Sequence, residues 1–355
     1  MDRREFLLTG LALSLVRPEG AVAEGTSAPG GMNVGDMHGH LFFFGPNTPA
    51  KRPLARSMAA GNATLVAWSL VGDLPWLQRS PRGLKQKGEP GPGAALDWFE
   101  QEVARAKEHI AQQNLKLALT AEDIDKAVAG EPHVILAVEG ATFIESNPPA
   151  VLKTVYDLGI RHVQLVHYIK NPLADFQTEP PAHKGLTELG QATIEECNRL
   201  GMLVDLAHAT SDAVNKALAV SKAPVVWSHS SVTRKGQPNW KMPVWQARQL
   251  TLADAKAIAQ AGGVVGLWPM RSDIGGGVDA YAARLAEMAE WLGEDHVGIG
   301  TDMNAIVNPS IGSYADVQGV VRLLQRRGMS DATISKMVIG NYARVLKAAF
   351  AARQA

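Results

Sequence analysis

One cysteine, Cys197, is all that 355 residues contain, so no disulfide can close within the chain and stability has to come from packing in any redox compartment. Cys197 lies in a helical pattern, Ile194 to Leu200, and reads as an inert buried thiol rather than a nucleophile. Net charge is missing as well: 35 Lys and Arg are balanced by 35 Asp and Glu, with a pI near 7.2. That balance leaves no electrostatic footprint for nucleic acid or anionic lipid, and a small molecule is the expected partner. No Gly-x-Gly-x-x-Gly turn follows an early strand, and no internal repeat or low-complexity tract is evident. Hydrophobic residues are present in quantity, at 46%, enough for the core of one large domain or two small ones.

The N-terminus reads as an address. Arg3 and Arg4 precede Phe6-Leu7-Leu8, an apolar stretch reaches Val16, and Ala21-Val22-Ala23 offers the small residues a signal peptidase cuts after. Residues 1–23 are therefore expected to be a twin-arginine signal peptide delivering the protein to the periplasm, in preference to a frayed apolar helix. The apolar stretch is shorter than the roughly 20 residues of a membrane span, so no stable span is expected after cleavage. Residues 24–31, rich in Ser, Gly and Pro, form a linker, and 32–355 are expected to be one domain.

Within that domain short apolar runs alternate with helical patterns. Strands are expected at Met32 to Gly35, Thr64 to Val71, Val134 to Val138, Arg161 to Tyr168, Met202 to Leu206, Pro224 to Ser228, Gly263 to Leu267 and Val297 to Gly300. Helices are expected at Trp98 to Ala111, Thr120 to Val128, Leu186 to Leu200, Thr251 to Ala261, Asp279 to Leu292 and Ser330 to Leu346, with Thr120 and Asp123 forming a capped start. Eight apolar strands alternating with amphipathic helices predict an all-parallel sheet of the α/β class closed into a (β/α)8 TIM barrel. The alternative, an open doubly wound sheet, predicts the glycine-rich phosphate turn that is absent. Two irregular stretches, Arg79 to Gly93 and Arg234 to Val244, follow strands and should lie over the barrel mouth.

Five of the strands run into histidines or acids: Asp36, His38 and His40; Glu139; Asp205 and His208; His229; and Asp302. In a strand, the two-residue spacing of His38 and His40 points both imidazoles to one face, a pairing suited to zinc. Glu139 follows an apolar strand, where a carboxylate must be ion-paired or ligated, and its two oxygens could serve two cations. Singly, His208 and His229 are explained as hydrogen-bonded core histidines; together at successive strand ends they indicate a metal site at the C-terminal face. His109, His133, His162, His183 and His296 lie elsewhere and read as structural or surface residues. Asp302 is positioned for proton transfer, with helix capping as the other reading.

Asp36-Met37-His38, Glu139-Gly140, Val163 to His167 with Asn171 and Ala174-Asp175, Gly185 through Met202 to His208, Ser228-His229-Ser230, Gly298 to Asp302, and Gly340-Asn341 with Arg344 to Leu346 resemble the membrane (renal) dipeptidase family. The resemblance covers nearly all of the chain after the signal and is most specific from Gly185 to His208. It implies a binuclear zinc metallopeptidase of the amidohydrolase-type barrels that cleaves dipeptides, including those with a D-residue at the C-terminal position, through a hydroxide bridging two Zn2+. By that resemblance His38 and His40 bind the first zinc, Glu139 bridges, and His208 with His229 bind the second. His167 contacts substrate or the developing oxyanion, and Asp302 handles the proton. The substrate carboxylate falls to Arg248, with Arg234 as a weaker candidate.

The chain departs from the family pattern at three places. His40 stands where the family has an aspartate, Asn304-Ala305 where it has Asp-Gly, and Phe42-Phe43-Phe44 where it has a Leu-Pro-Trp-like turn. The imidazole leaves the metal pair one unit more positive. Two other functions stay open: a related amidohydrolase acting on another amide, lactone or exported peptide natural product, and a non-catalytic periplasmic metal-binding or maturation factor. A dipeptide or other small molecule is the expected partner, and a homodimer is compatible with the sequence.

Overall fold

The computed structural model describes residues 31–40, 53–81 and 83–354. The expected signal peptide, all but the last residue of the expected linker, and the Phe42-Phe43-Phe44 segment lie outside the described residues. Eight strands follow one another around a parallel sheet in chain order: β1 (Val34–Gly39), β2 (Ala63–Val71), β3 (His133–Glu139), β4 (Ile160–Gln164), β5 (Leu203–Asp205), β6 (Val226–Ser230), β7 (Val264–Leu267) and β8 (Val297–Ile299). A two-residue strand, Lys116–Leu117, pairs beside the start of β3. The sheet nearly closes on itself. Gly39 bridges Met303, and the Asp302 amide donates to the His38 carbonyl at 2.9 Å.

The expected TIM-barrel architecture is thus observed, and its cause is local. Val, Ile, Leu and Ala fill the strands; β-branched side chains suit the pleat, and burial on both faces removes the need for polar alternation. Val134 to Val138, for instance, is buried throughout. Each fully buried aliphatic side chain contributes about 1.5–3 kcal/mol. Two glycines set the spacing beneath the site: a Cβ on Gly266 or Gly300 would collide with the Ser228 carbonyl, which lies one residue before His229.

Helices flank the strands, and six of those described start at side-chain caps. Thr120 and Asp123 form the expected capping box, and Ser313 with Asp316 forms another. Helices at Pro148–Asp157, Ser211–Val220 and Tyr314–Arg326 add to those expected. The first begins with two prolines, tolerated there because a helix's opening N–H groups have no intrahelical acceptor.

Several bounds differ from expectation: β1 runs from Val34 to Gly39 rather than from Met32 to Gly35, so His38 lies within the strand. β4 ends at Gln164, not at Tyr168: Leu165 to Tyr168 leave the ladder, which turns His167 toward the mouth. Instead of an irregular loop, the region after β2 contains an antiparallel hairpin, Leu77–Ser80 with Gly83–Gln86. The C-terminal helix is interrupted by a π turn, Lys336–Gly340, between Asp331–Ser335 and Asn341–Ala351. No helix among the described residues is long and apolar enough to cross a membrane.

Candidate metal centre

Glu139 ends β3 and is buried at the barrel mouth. Five imidazoles surround it. Oε1 lies 3.1 Å from His208 Nε2, 3.4 Å from His38 Nε2 and 3.6 Å from His229 Nε2. Oε2 lies 3.4 Å from both His40 Nε2 and His167 Nε2.

Each histidine reaches this point by a different local device. His38 and His40 share a face of the β1 chain, as their spacing predicts, with Nε2 atoms 3.2 Å apart. His40 Nδ1 donates to the Ser69 carbonyl at 2.8 Å, which leaves the Nε2 lone pair directed at the centre. His38 Nδ1 faces the Ser69 and Ser228 hydroxyls at 3.1 and 3.3 Å. His229, on β6, has Nδ1 2.9 Å from Ser228 Oγ. His208 follows β5 with φ +70°, and Asp302 follows β8 with φ +48°. A left-handed backbone at a bulky residue costs on the order of 1–3 kcal/mol and persists where the surroundings enforce it. Here the conformation brings both side chains to the mouth.

These donors fit divalent cations. Two nitrogens bound at about 2.0–2.1 Å to one tetrahedral ion lie about 3.3–3.4 Å apart. The His38/His40 and His208/His229 Nε2 pairs are each 3.2 Å apart, with Glu139 between them. Glu139 Oε2 is buried yet has no hydrogen-bond partner, a costly state for a carboxylate that a bound cation would relieve. Nitrogen and oxygen donors without sulfur suit zinc and neighbouring first-row metals.

Titration behaviour divides the set. Burial pushes the Glu139 carboxyl up, but the charges of His167 and His38 and hydrogen bonds from His208 and His38 outweigh it and hold the group well below its usual range. Burial, reinforced by Arg248, lowers His208 far below the ordinary imidazole value. His229 is lowered likewise by burial and by His38 and Arg248, so both stay neutral and able to coordinate. Burial also pulls His40 down, but the Asp302 hydrogen bond and the charges of Glu139 and Asp302 raise it overall. A cation therefore competes with a proton more at His40 than at His208 or His229. Metal affinity should fall as pH drops through the raised His40 value, and the protons released on binding should increase as pH is lowered. Calorimetry in buffers of differing ionisation enthalpy reads this directly, and proton release that does not rise as pH falls would contradict it.

Asp302, His167 and Arg248 meet the five expected ligands here, as the sequence led us to expect. Asp302 Oδ1 is 3.1 Å from His40 Nε2. Arg248, buried at the end of the Val244–Ala247 turn, directs Nη2 to His229 Nε2 at 3.1 Å and Nε to Gln177 at 3.3 Å. Arg234 does not join them: it pairs with Glu287 at 2.8 Å on the outside, the surface role open to it from sequence. Asp36 and Asp205 also end strands, but they brace the floor. Asp36 accepts from Thr301, His38 N and Tyr314, and Asp205 from Ala207 N and Ser228 N. The remaining histidines bond locally or below, as with His162 beside Asp205 and Tyr342.

Asp73 was missed by the sequence reading. It accepts from His167 Nδ1 at 2.8 Å and orients the Nε2 edge toward Glu139. Its signal was available, since Gly72-Asp73 follows β2 as the other acids follow their strands. Burial lowers His167, but Asp73 and Glu139 raise it overall. Asn304, at the position of a departure from the family pattern, donates to the His40 carbonyl.

Above the centre lies a cavity of about 740 Å³, roofed by the hairpin through Arg79 and Leu84 and by the 241–245 segment through Lys241 and Trp245. Both irregular stretches thus reach the mouth, as expected from their positions after strands.

Residues 54–355 match the pattern of the membrane dipeptidase family, peptidase family M19. A dipeptidase of Clonostachys rogersoniana is 31% identical over 65% of this chain and 59% of its own length. One of Claviceps purpurea is 26% identical over 82% of this chain and 68% of its own. The matches thus span about three fifths to two thirds of those relatives. A metallo peptidase of Rhodobacter sphaeroides, solved with a phosphinate mimic of the dipeptide L-Ala-D-Ala, superposes with a TM-score of 0.71 at 21% identity, covering 90% of this chain and 99% of its own.

Proposed function

The chain belongs to the membrane dipeptidase family of metal-dependent hydrolases, and from that premise we propose that it is a binuclear zinc dipeptidase that accepts a D-residue at the C-terminal position. The observation that carries the proposal is the convergence of five imidazoles on one buried carboxylate, Glu139, whose Oε2 has no hydrogen-bond partner, beside a buried guanidinium. The dipeptide mimic bound by the Rhodobacter sphaeroides relative supports the D-residue.

His38, His40, Glu139, His208 and His229 would hold the ions. Bound there, two divalent cations would supply Lewis acidity, polarising the scissile carbonyl and easing ionisation of water. Arg248 presents a planar fork suited to a free carboxylate, which fixes the C-terminal end of the substrate. His167, held at Nδ1 by Asp73, aims Nε2 at the centre and can donate to the carbonyl oxygen as negative charge develops. Asp302 is placed to take a proton from the attacking water and pass it to the leaving nitrogen. Periplasmic export through Arg3-Arg4 belongs to the same proposal and stands on the sequence alone; cell fractionation reads it directly.

Arg248→Ala is expected to raise KM for a dipeptide about 10- to 150-fold, the equivalent of roughly 1.5–3 kcal/mol for a lost charge-assisted hydrogen bond. Arg248→Lys should lose much of the same affinity, because it keeps the charge and not the fork. A second reading, hydrolysis of another amide or a lactone, is favoured by His40 and Asn304 replacing acids of the family pattern. It predicts little change in KM for a neutral ester or lactone in either variant. An unchanged dipeptide KM would remove the carboxylate role.

A further inference from the structure

The charges lining the cavity are one-sided. Among the described residues that line it, the carboxylates are Glu139 and Asp302; the first is enclosed by imidazoles and the second faces His40. Beyond them the lining contributes three cations from separate parts of the fold: Arg79 on the hairpin, Lys241 on the roof segment and Arg248 on the wall. Asp273 lies behind that wall and is already engaged by Ser231, by Gln249 Nε2 at 2.6 Å and by Trp268 Nε1 at 3.1 Å. The rest of the lining is largely apolar, with Leu84, Val244, Trp245, Trp268, Ile306 and Val307 facing a space of about 740 Å³. A drug-sized ligand occupies about 300–1,000 Å³.

A free dipeptide brings an ammonium on the acyl side of the scissile bond. The two carboxylates of this lining already face imidazoles, while its three cations repel an ammonium at a partly desolvated mouth. We propose that, among the amides it cleaves, the chain prefers those whose acyl side is apolar and carries no ammonium, N-acyl amino acids over free dipeptides, while Arg248 holds the carboxylate. This deepens the proposed function and rests on its carboxylate-holding role for Arg248.

The test is a matched pair, 3-phenylpropanoyl-Ala and Phe-Ala, which differ only by the ammonium, each with D- and L-Ala and with metal-loaded protein. The uncharged acyl compound should be favoured about tenfold or more in kcat/KM, and calorimetry on the metal-loaded Asp302→Asn variant should show the same preference in affinity. Lys241→Glu, an exposed change at the rim, should narrow the ratio, and added salt should narrow it in the wild type. Equal or better binding of Phe-Ala overturns the proposal, as does a ratio unmoved by both Lys241→Glu and salt. If neither amide is hydrolysed while the binding preference holds, the hydrolase reading falls and the selectivity stands.

Discussion

Glu139→Gln is expected to strip the protein of its metals while leaving the fold in place. The amide matches the carboxylate in shape, and the metal-free wild type already bears the cost of a buried ionised group with an unsatisfied Oε2. Its thermal midpoint without metal should therefore move by only a few degrees. The metal-loaded state should differ sharply. Removing one partner of a buried charge pair costs about 3–5 kcal/mol, so metal affinity should fall by roughly 10²-fold or more. The stabilisation that metal confers, about 2.7 kcal/mol at 100 times Kd, should disappear with it. Elemental analysis and melting curves with and without metal give the answer. A variant holding about two ions per chain at wild-type affinity would show that Glu139 does not bridge.

Asp302→Asn should separate chemistry from binding. Asparagine preserves the shape beside His40 but cannot take up the proton, and loss of a positioned general base lowers rate by about 10²–10⁴-fold. Because Arg248 and the five imidazoles are untouched, metal content and KM should stay close to wild type, and the loss should fall on kcat. Equal turnover by wild type and variant would end the assignment of Asp302 and favour a metal-binding factor without catalysis.

The legible part of the site was local. His38 and His40 could be paired because a strand repeats every two residues, and the acids and histidines at strand ends could be counted because apolar runs mark where strands stop. The same periodicity could not sort the strand-end acids. Asp36, two residues before His38 on the same strand, points to Thr301 and Tyr314 rather than to the metal centre, and both partners lie more than 260 residues away. Asp73 was overlooked although it follows β2, because its role depends on His167 swinging out of a strand that ends earlier than its apolar run suggests. Arg248 and Arg234 look alike in sequence; packing buries one at the mouth and leaves the other paired with Glu287.

Strand order, barrel class and the residue types available for coordination follow from composition and period, because backbone pleat and burial act over neighbouring residues. Which of those side chains meet, at what separation, and with which charges around the entrance was settled only on closure of the barrel. The Asp302 amide bonding to the His38 carbonyl joins the two ends of the sheet, and distances of that kind depend on the sum of all intervening twists and turns rather than on any local preference.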